Sequence, residues 1–176
     1  ACSDPIPARY DHMQVTAFAG EFEPAYIVAV DVAGLQLFGP GTVEWAQKSN
    51  LCIDHHASHS HYSDGLVLDG TAAACAEIIY KLLLTMGTEI TPLIADCLYT
   101  GIATDTGCFK VANVTPDTHK IAAELMERGA HHTKLNAKLF ESKSRSQLAV
   151  ERQLLKNLEF YYHGRCALTW LTLEDI

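Results

Sequence analysis

Leu51-Cys52-Ile53-Asp54-His55-His56 places a carboxylate and two imidazoles where a short apolar run stops. Such a run reads as a buried strand, and open parallel sheets put their chemistry at the carboxyl ends of strands. Carboxylate and imidazole donors together suit divalent ions such as Mn²⁺. Two more carboxylates stand in similar settings. Asp31 ends the β-branched run Tyr26-Ile27-Val28-Ala29-Val30, and Asp105 follows the apolar stretch Gly101-Ile102-Ala103-Thr104. Singly, each has a bland reading as a strand-end cap or a turn residue. Together, carboxylates and an imidazole converging on one sheet edge could hold two divalent ions a few Å apart. Such a pair clamps a phosphoryl oxygen and turns water into hydroxide near neutral pH.

The elements that must position these groups alternate between short apolar runs and helical stretches. That pattern predicts an α/β fold, a mainly parallel sheet with helices on both faces. Pro5, Pro7 and Pro24 mark residues 1–24 as connector with an edge strand at 14–18. Residues 26–30 and 51–53 read as buried strands, with a short helix at 42–48 between them. Residues 57–69 read as a polar loop. Thr71 reads as the cap of a helix running to about Met86, and Thr91-Pro92 opens the next. Residues 109–111 read as a strand. Thr115-Pro116-Asp117 starts a helix that ends at Arg128-Gly129. A short helix at 131–141 and a longer one at 144–160 follow, then a strand at 166–173. The expected divisions are a connector (1–24), a catalytic domain (25–142), a linker helix (143–160) and the start of a further domain (161–176).

At 176 residues and 48% hydrophobic, the chain can bury a core as one domain. Its net charge of -8 argues against a long duplex nucleic-acid partner. A small phosphorylated substrate stays compatible, because bound metal ions would dominate the local field. The six cysteines are scattered without a Cys-x-x-Cys, which suits a reducing cytoplasm. No apolar run reaches the roughly 18 residues of a membrane span.

Val30-Asp31, then Ile53-Asp54-His55-His56, then Leu98-Tyr99-Thr100-Gly101-Ile102-Ala103-Thr104-Asp105-Thr106-Gly107-Cys108-Phe109 resemble the DHH phosphoesterase superfamily. The branch they are most similar to is the nanoRNase / pAp-phosphatase type, related to RecJ exonuclease and cyclic-di-AMP phosphodiesterases. The resemblance continues through Thr115-Pro116-Asp117-Thr118 and Leu125-Met126-Glu127-Arg128-Gly129-Ala130. It implies a metal-dependent phosphoesterase acting on short oligoribonucleotides or 3′-phosphoadenosine 5′-phosphate, with a homodimer compatible. A cyclic-dinucleotide phosphodiesterase and a catalytically incomplete binding domain remain as alternatives. It implies that Asp31 bridges two Mn²⁺ ions (or Mg²⁺), with His55 and Asp105 as terminal ligands of one. His56 would face the substrate phosphate, and Asp54 would orient the histidine pair through hydrogen bonds.

Two family features are missing from the chain: a first motif of a strand ending in His and paired Asp, and a C-terminal substrate-clamping domain. The expectation is therefore a fragment with one metal site short of ligands. Other conspicuous groups have structural readings. His131-His132 reads as solvated surface, His59 and His61 as part of a mobile polar loop. Lys143 and Arg145 read as exposed helix charges, and Glu77 as a packing or pairing group. Leu148, Leu154, Leu155 and Leu158 form a core or interface face.

Overall fold

The computed structural model describes residues 6–15, 23–39 and 41–175. They fall into two compact units, residues 1–139 and 140–176. In the first unit, a 3-10 turn (Ala8–Met13) precedes β1 (Val28–Val30), α1 (Val43–Ala46), β2 (Leu51–Asp54) and β3 (Gly65–Leu68). The helices α2 (Cys75–Thr85), α3 (Pro92–Asp105), α4 (Pro116–Glu127) and α5 (His132–Asn136) follow. A π-helical turn (Ala137–Glu141) follows α5.

The three strands form one parallel sheet in the order β1-β2-β3, with Val30 opposite Ile53 and Asp54 opposite Leu68. β2 is central, and Cys52, Ile53 and Asp54 are all buried. Ile53 packs with Ala72, Cys75 and Ile78 in the core between the sheet and α2. This is the parallel α/β architecture expected from the alternation of runs.

Several local expectations change. Residues 57–69 are not wholly loop, because Gly65-Leu66-Val67-Leu68 pairs with β2 as β3. The Asp/Gly turns flanking that run masked its strand character in the sequence. Gly65 eases the close approach there, since a Cβ would stand 3.1 Å from the Asn50 carbonyl oxygen. Parallel pairing obliges residues 55–64 to run back from the end of β2 to the start of β3.

Thr71 is not the cap of α2. Its backbone N–H and its hydroxyl both donate to the Asp69 carboxylate, and the helix starts four residues later at Cys75. Residues 109–111 form no strand, because Cys108 and Phe109 carry φ of 60° and 63° within a turn. Gln14 has φ 51°, so the strand expected at 14–18 does not begin there, and residues 16–18 lie outside the described residues.

α3 and α4 begin as their sequences indicate. Thr91 caps α3 by accepting from the Ile94 N–H, and a reciprocal Thr115–Thr118 box with Pro116 at the first position opens α4. α2 and α3 meet where Gly101 lies, so close that a Cβ there would stand 2.9 Å from that of Ala76.

In the second unit, α6 (Arg145–Lys156) starts at a Ser144–Gln147 capping box. It stops before residue 160, because Glu159–Tyr161 forms β4 and pairs antiparallel with β5 (Cys166–Leu168). The aromatic run Phe160-Tyr161-Tyr162 prefers the extended state, and the turn uses left-handed Tyr162, His163 and Gly164. The strand expected at 166–173 is therefore only its first three residues. Leu148 and Leu155 are exposed on α6.

Candidate metal centre

β1, β2 and α3 bring five polar side chains together. Asp31 follows β1 directly, its N–H donating to the Ile53 carbonyl at 2.9 Å. Its φ is 62°, a left-handed conformation costing a non-glycine residue about 1–3 kcal/mol, of the sort retained at functional sites. Asp54 ends β2, His55 and His56 leave it, and Asp105 is the last residue of α3.

His55 sits at the centre. Its Nε2 lies 3.5 Å from Asp31 Oδ1 and 3.6 Å from Asp105 Oδ2. Its Nδ1 is 3.1 Å from the Ala72 carbonyl, which can only accept, so Nδ1 carries a proton and Nε2 is the free corner of the ring. The late start of α2 is what leaves that carbonyl available. A spacing near 3.5 Å is that of two donor atoms each about 2.1 Å from one ion. Asp31 and Asp105 thus each stand within one ion's span of the same imidazole nitrogen. The set whose ligand atoms all lie within 4.8 Å of one another is Asp31, Asp54, His55 and His56, without Asp105.

Asp54 is fully buried and organises the pair. Its Oδ1 accepts from the N–H of His55 (2.6 Å), the N–H of His56 (3.0 Å) and His56 Nδ1 (2.7 Å). Burial alone would raise its carboxyl pKa, but the bonds from His56 and His55 outweigh it and hold the group below the ordinary value. The same bond raises the His56 imidazole above its ordinary value, against partial burial. Burial, then the neighbouring Asp31 charge, push Asp105 upward, with the two imidazoles opposing. A site that raises a carboxyl through a nearby like charge is one a bound cation would relieve.

The remaining conspicuous groups lie elsewhere. His131 bonds Asp96 through its backbone N–H and its Nδ1. Asp96 precedes Asp105 by nine residues on α3, about 13 Å along the axis. Lys143 pairs with Glu151. Glu77 is buried on α2. His59 is the exception to the polar-loop expectation: it is buried, because the return path of residues 55–64 lays it against Cys52. No spacing rule in the sequence marks it, since its burial depends on β3.

No family model matches the chain. It is 32% identical over 142 residues to the bifunctional oligoribonuclease and PAP phosphatase NrnA of Thermus thermophilus, covering 81% of this chain and 39% of that protein. It is 31% identical over 125 residues to the protein of the same name from Bacillus subtilis, covering 69% and 40%. An exopolyphosphatase-related protein of known structure from Bacteroides fragilis superposes with a TM-score of 0.77 at 25% identity, over 87% of this chain and 46% of that one. The first unit is a parallel α/β domain with a carboxylate–imidazole cluster at its strand ends. With these relatives, the chain belongs to the DHH phosphoesterase superfamily, in its nanoRNase branch. It spans about two fifths of the length of the curated relatives it matches.

Proposed function

We propose that this chain forms the metal-holding part of a phosphoesterase that hydrolyses short oligoribonucleotides and 3′-phosphoadenosine 5′-phosphate. The observation that carries the reading is the convergence of Asp31 and Asp105 on His55 Nε2. The names of the relatives supply the substrate class. Asp31, His55 and Asp105 are the ligands, and Mn²⁺ is the ion we assign to their mixed oxygen and nitrogen donors. A divalent cation held there supplies Lewis acidity toward a phosphoryl oxygen and an activated water.

The protein groups around it bind and orient. Asp54 fixes His56 by its Nδ1 and leaves Nε2 as the corner available to substrate. With its pKa raised, His56 stays a cationic donor to a phosphoryl oxygen over more of the neutral range. Cys52, Cys75, Cys97, Cys108 and Cys166 are free thiols, in keeping with a cytoplasmic protein. Among the described residues no helix is long and apolar enough to cross a membrane.

The test is release of phosphate from 3′-phosphoadenosine 5′-phosphate, and of mononucleotides from short oligoribonucleotides, with added Mn²⁺. Asp31→Ala is expected to abolish turnover while His131→Ala stays near wild type. Equal losses in both would point to general destabilisation and contradict the assignment.

A further inference from the structure

Behind the DHH pair lies a second cluster that the proposed function does not use. Cys52, Asp54 and His59 are all buried and offer ligand atoms within 4.8 Å of one another. His59 Nε2 is 3.3 Å from Cys52 Sγ and 3.9 Å from Asp54 Oδ2. That Oδ2 is buried and has no hydrogen-bond partner, whereas Oδ1 of the same carboxylate accepts three.

Three donor types at such distances suggest a metal site, but the ring's tautomer argues against one. The backbone N–H of His61 donates to His59 Nδ1 at 3.0 Å. Nδ1 therefore carries no proton, and the neutral ring must carry its proton on Nε2, where a metal ligand needs a lone pair. The rest of the network runs in the same direction. Tyr62 Oη donates to the Val32 carbonyl at 3.0 Å, so its oxygen is free to accept from the Cys52 thiol at 3.3 Å. The thiol sulfur in turn accepts from His59 Nε2–H. Burial raises the Cys52 thiol pKa, which keeps the sulfur protonated and able to donate.

We propose that His59 is a positioning residue: a neutral imidazole locked as the Nε2–H tautomer, whose proton goes to Cys52 Sγ in this structure and lies 3.9 Å from the unpartnered buried oxygen of Asp54, the carboxylate that orients His55 and His56, to which the bond can transfer. A charged carboxylate is a stronger acceptor than a thiol, and a shift of about 1 Å brings Nε2 within bonding distance of Oδ2. With that bond made, a chain of hydrogen bonds would run from the His61 backbone through His59 and Asp54 to His56. This inference rests on the phosphoesterase reading only for its effect on turnover; the hydrogen-bond network stands apart from it.

The experiment is side-chain ¹⁵N NMR on the full chain, comparing wild type, His59→Gln and His59→Leu. Gln can place an N–H where Nε2 stands, and Leu cannot. Wild type should show His59 as the Nε2–H tautomer with a slowly exchanging proton, and a protected His56 Nδ1–H. That His56 signal should persist in His59→Gln and be lost or shifted in His59→Leu. If Mn²⁺-dependent turnover is present, His59→Leu should lower kcat about 10- to 100-fold, as loss of an outer hydrogen-bond partner does, with His59→Gln restoring most of it. An Nδ1–H tautomer, a rapidly exchanging Nε2 proton, or an unchanged His56 signal in a folded His59→Leu protein would overturn the proposal. If His59→Leu does not fold, the wild-type tautomer and the His56 signal of His59→Gln decide it. Absence of bound Mn²⁺ at His55 in wild type would count against the phosphoesterase reading, with the NMR signals still deciding this one.

Discussion

Asp54→Asn should weaken the fold and disorder the histidine pair, and its cost can be worked from the contacts. Asp54 Oδ1 accepts three hydrogen bonds, one of them from an imidazole whose pKa it raises. An Asn can keep its oxygen toward the two backbone N–H groups. It loses the charge-assisted part of the bond to His56, about 1.5–3 kcal/mol for such a bond. The lower end applies because His56 is partly exposed. Its amide NH₂ then occupies the position of Oδ2, where the neighbouring His59 Nε2–H is also a donor. The new buried amide N–H, facing a donor and finding no acceptor there, costs about 1–3 kcal/mol. Relief from burying a charge offsets part of this, so a net loss of about 3 kcal/mol is expected. With a urea slope near 2 kcal/mol/M, the unfolding midpoint should fall by about 1.5 M.

The loss should also depend on pH. The His56 pKa is raised in the folded state, so its pairing stabilises fully below the unfolded imidazole value of about 6.5 and fades as pH rises through the folded value. The Asp54 pKa is lowered, so its share is present above about 3.9 and is lost as pH falls through the folded value. Wild type and mutant should thus differ most between about pH 4 and 6.5 and less at pH 9. A midpoint shift under about 0.3 M at every pH, or a difference that grows toward pH 9, would refute the reasoning.

Gly101→Ala should lower stability by about 1–3 kcal/mol in calorimetry despite alanine's better helix propensity, because its Cβ would stand 2.9 Å from that of Ala76; a neutral or stabilising result would mean the α2–α3 contact is looser than described. Cys75, buried with its thiol pushed up to about 12 and donating to the Ile53 carbonyl, should resist iodoacetamide at pH 8 while exposed Cys166 reacts. Rapid labelling of Cys75 in the folded protein would contradict its place in the core.

The residues singled out in the sequence are brought together by the fold, but the groups that support them were obscure. Asp31, Asp54, His55 and Asp105 each follow an apolar run or helix end, and periodicity is local enough to read. β3 was hidden because four apolar residues between Asp-Gly turns carry little periodic signal, and its pairing partner is fixed only by the sheet. With β3 unread, the path of residues 55–64 was unread too, so His59 looked like solvent-facing loop. The Ala72 carbonyl that sets the His55 tautomer was equally hidden, because the Thr71 hydroxyl resembles a helix cap until Asp69 is seen to take it. The helical reading through residue 160 failed for a related reason: Leu158 continues the helical face, but Glu159–Tyr161 pairs with a strand further along the chain.

The most direct test of the central claim is anomalous diffraction from crystals of this chain grown with Mn²⁺. The account predicts a peak about 2.0–2.3 Å from Asp31, His55 Nε2 and Asp105, vanishing in Asp31→Ala. A peak between Cys52 and His59 instead, or none near His55 at saturating Mn²⁺, would contradict it.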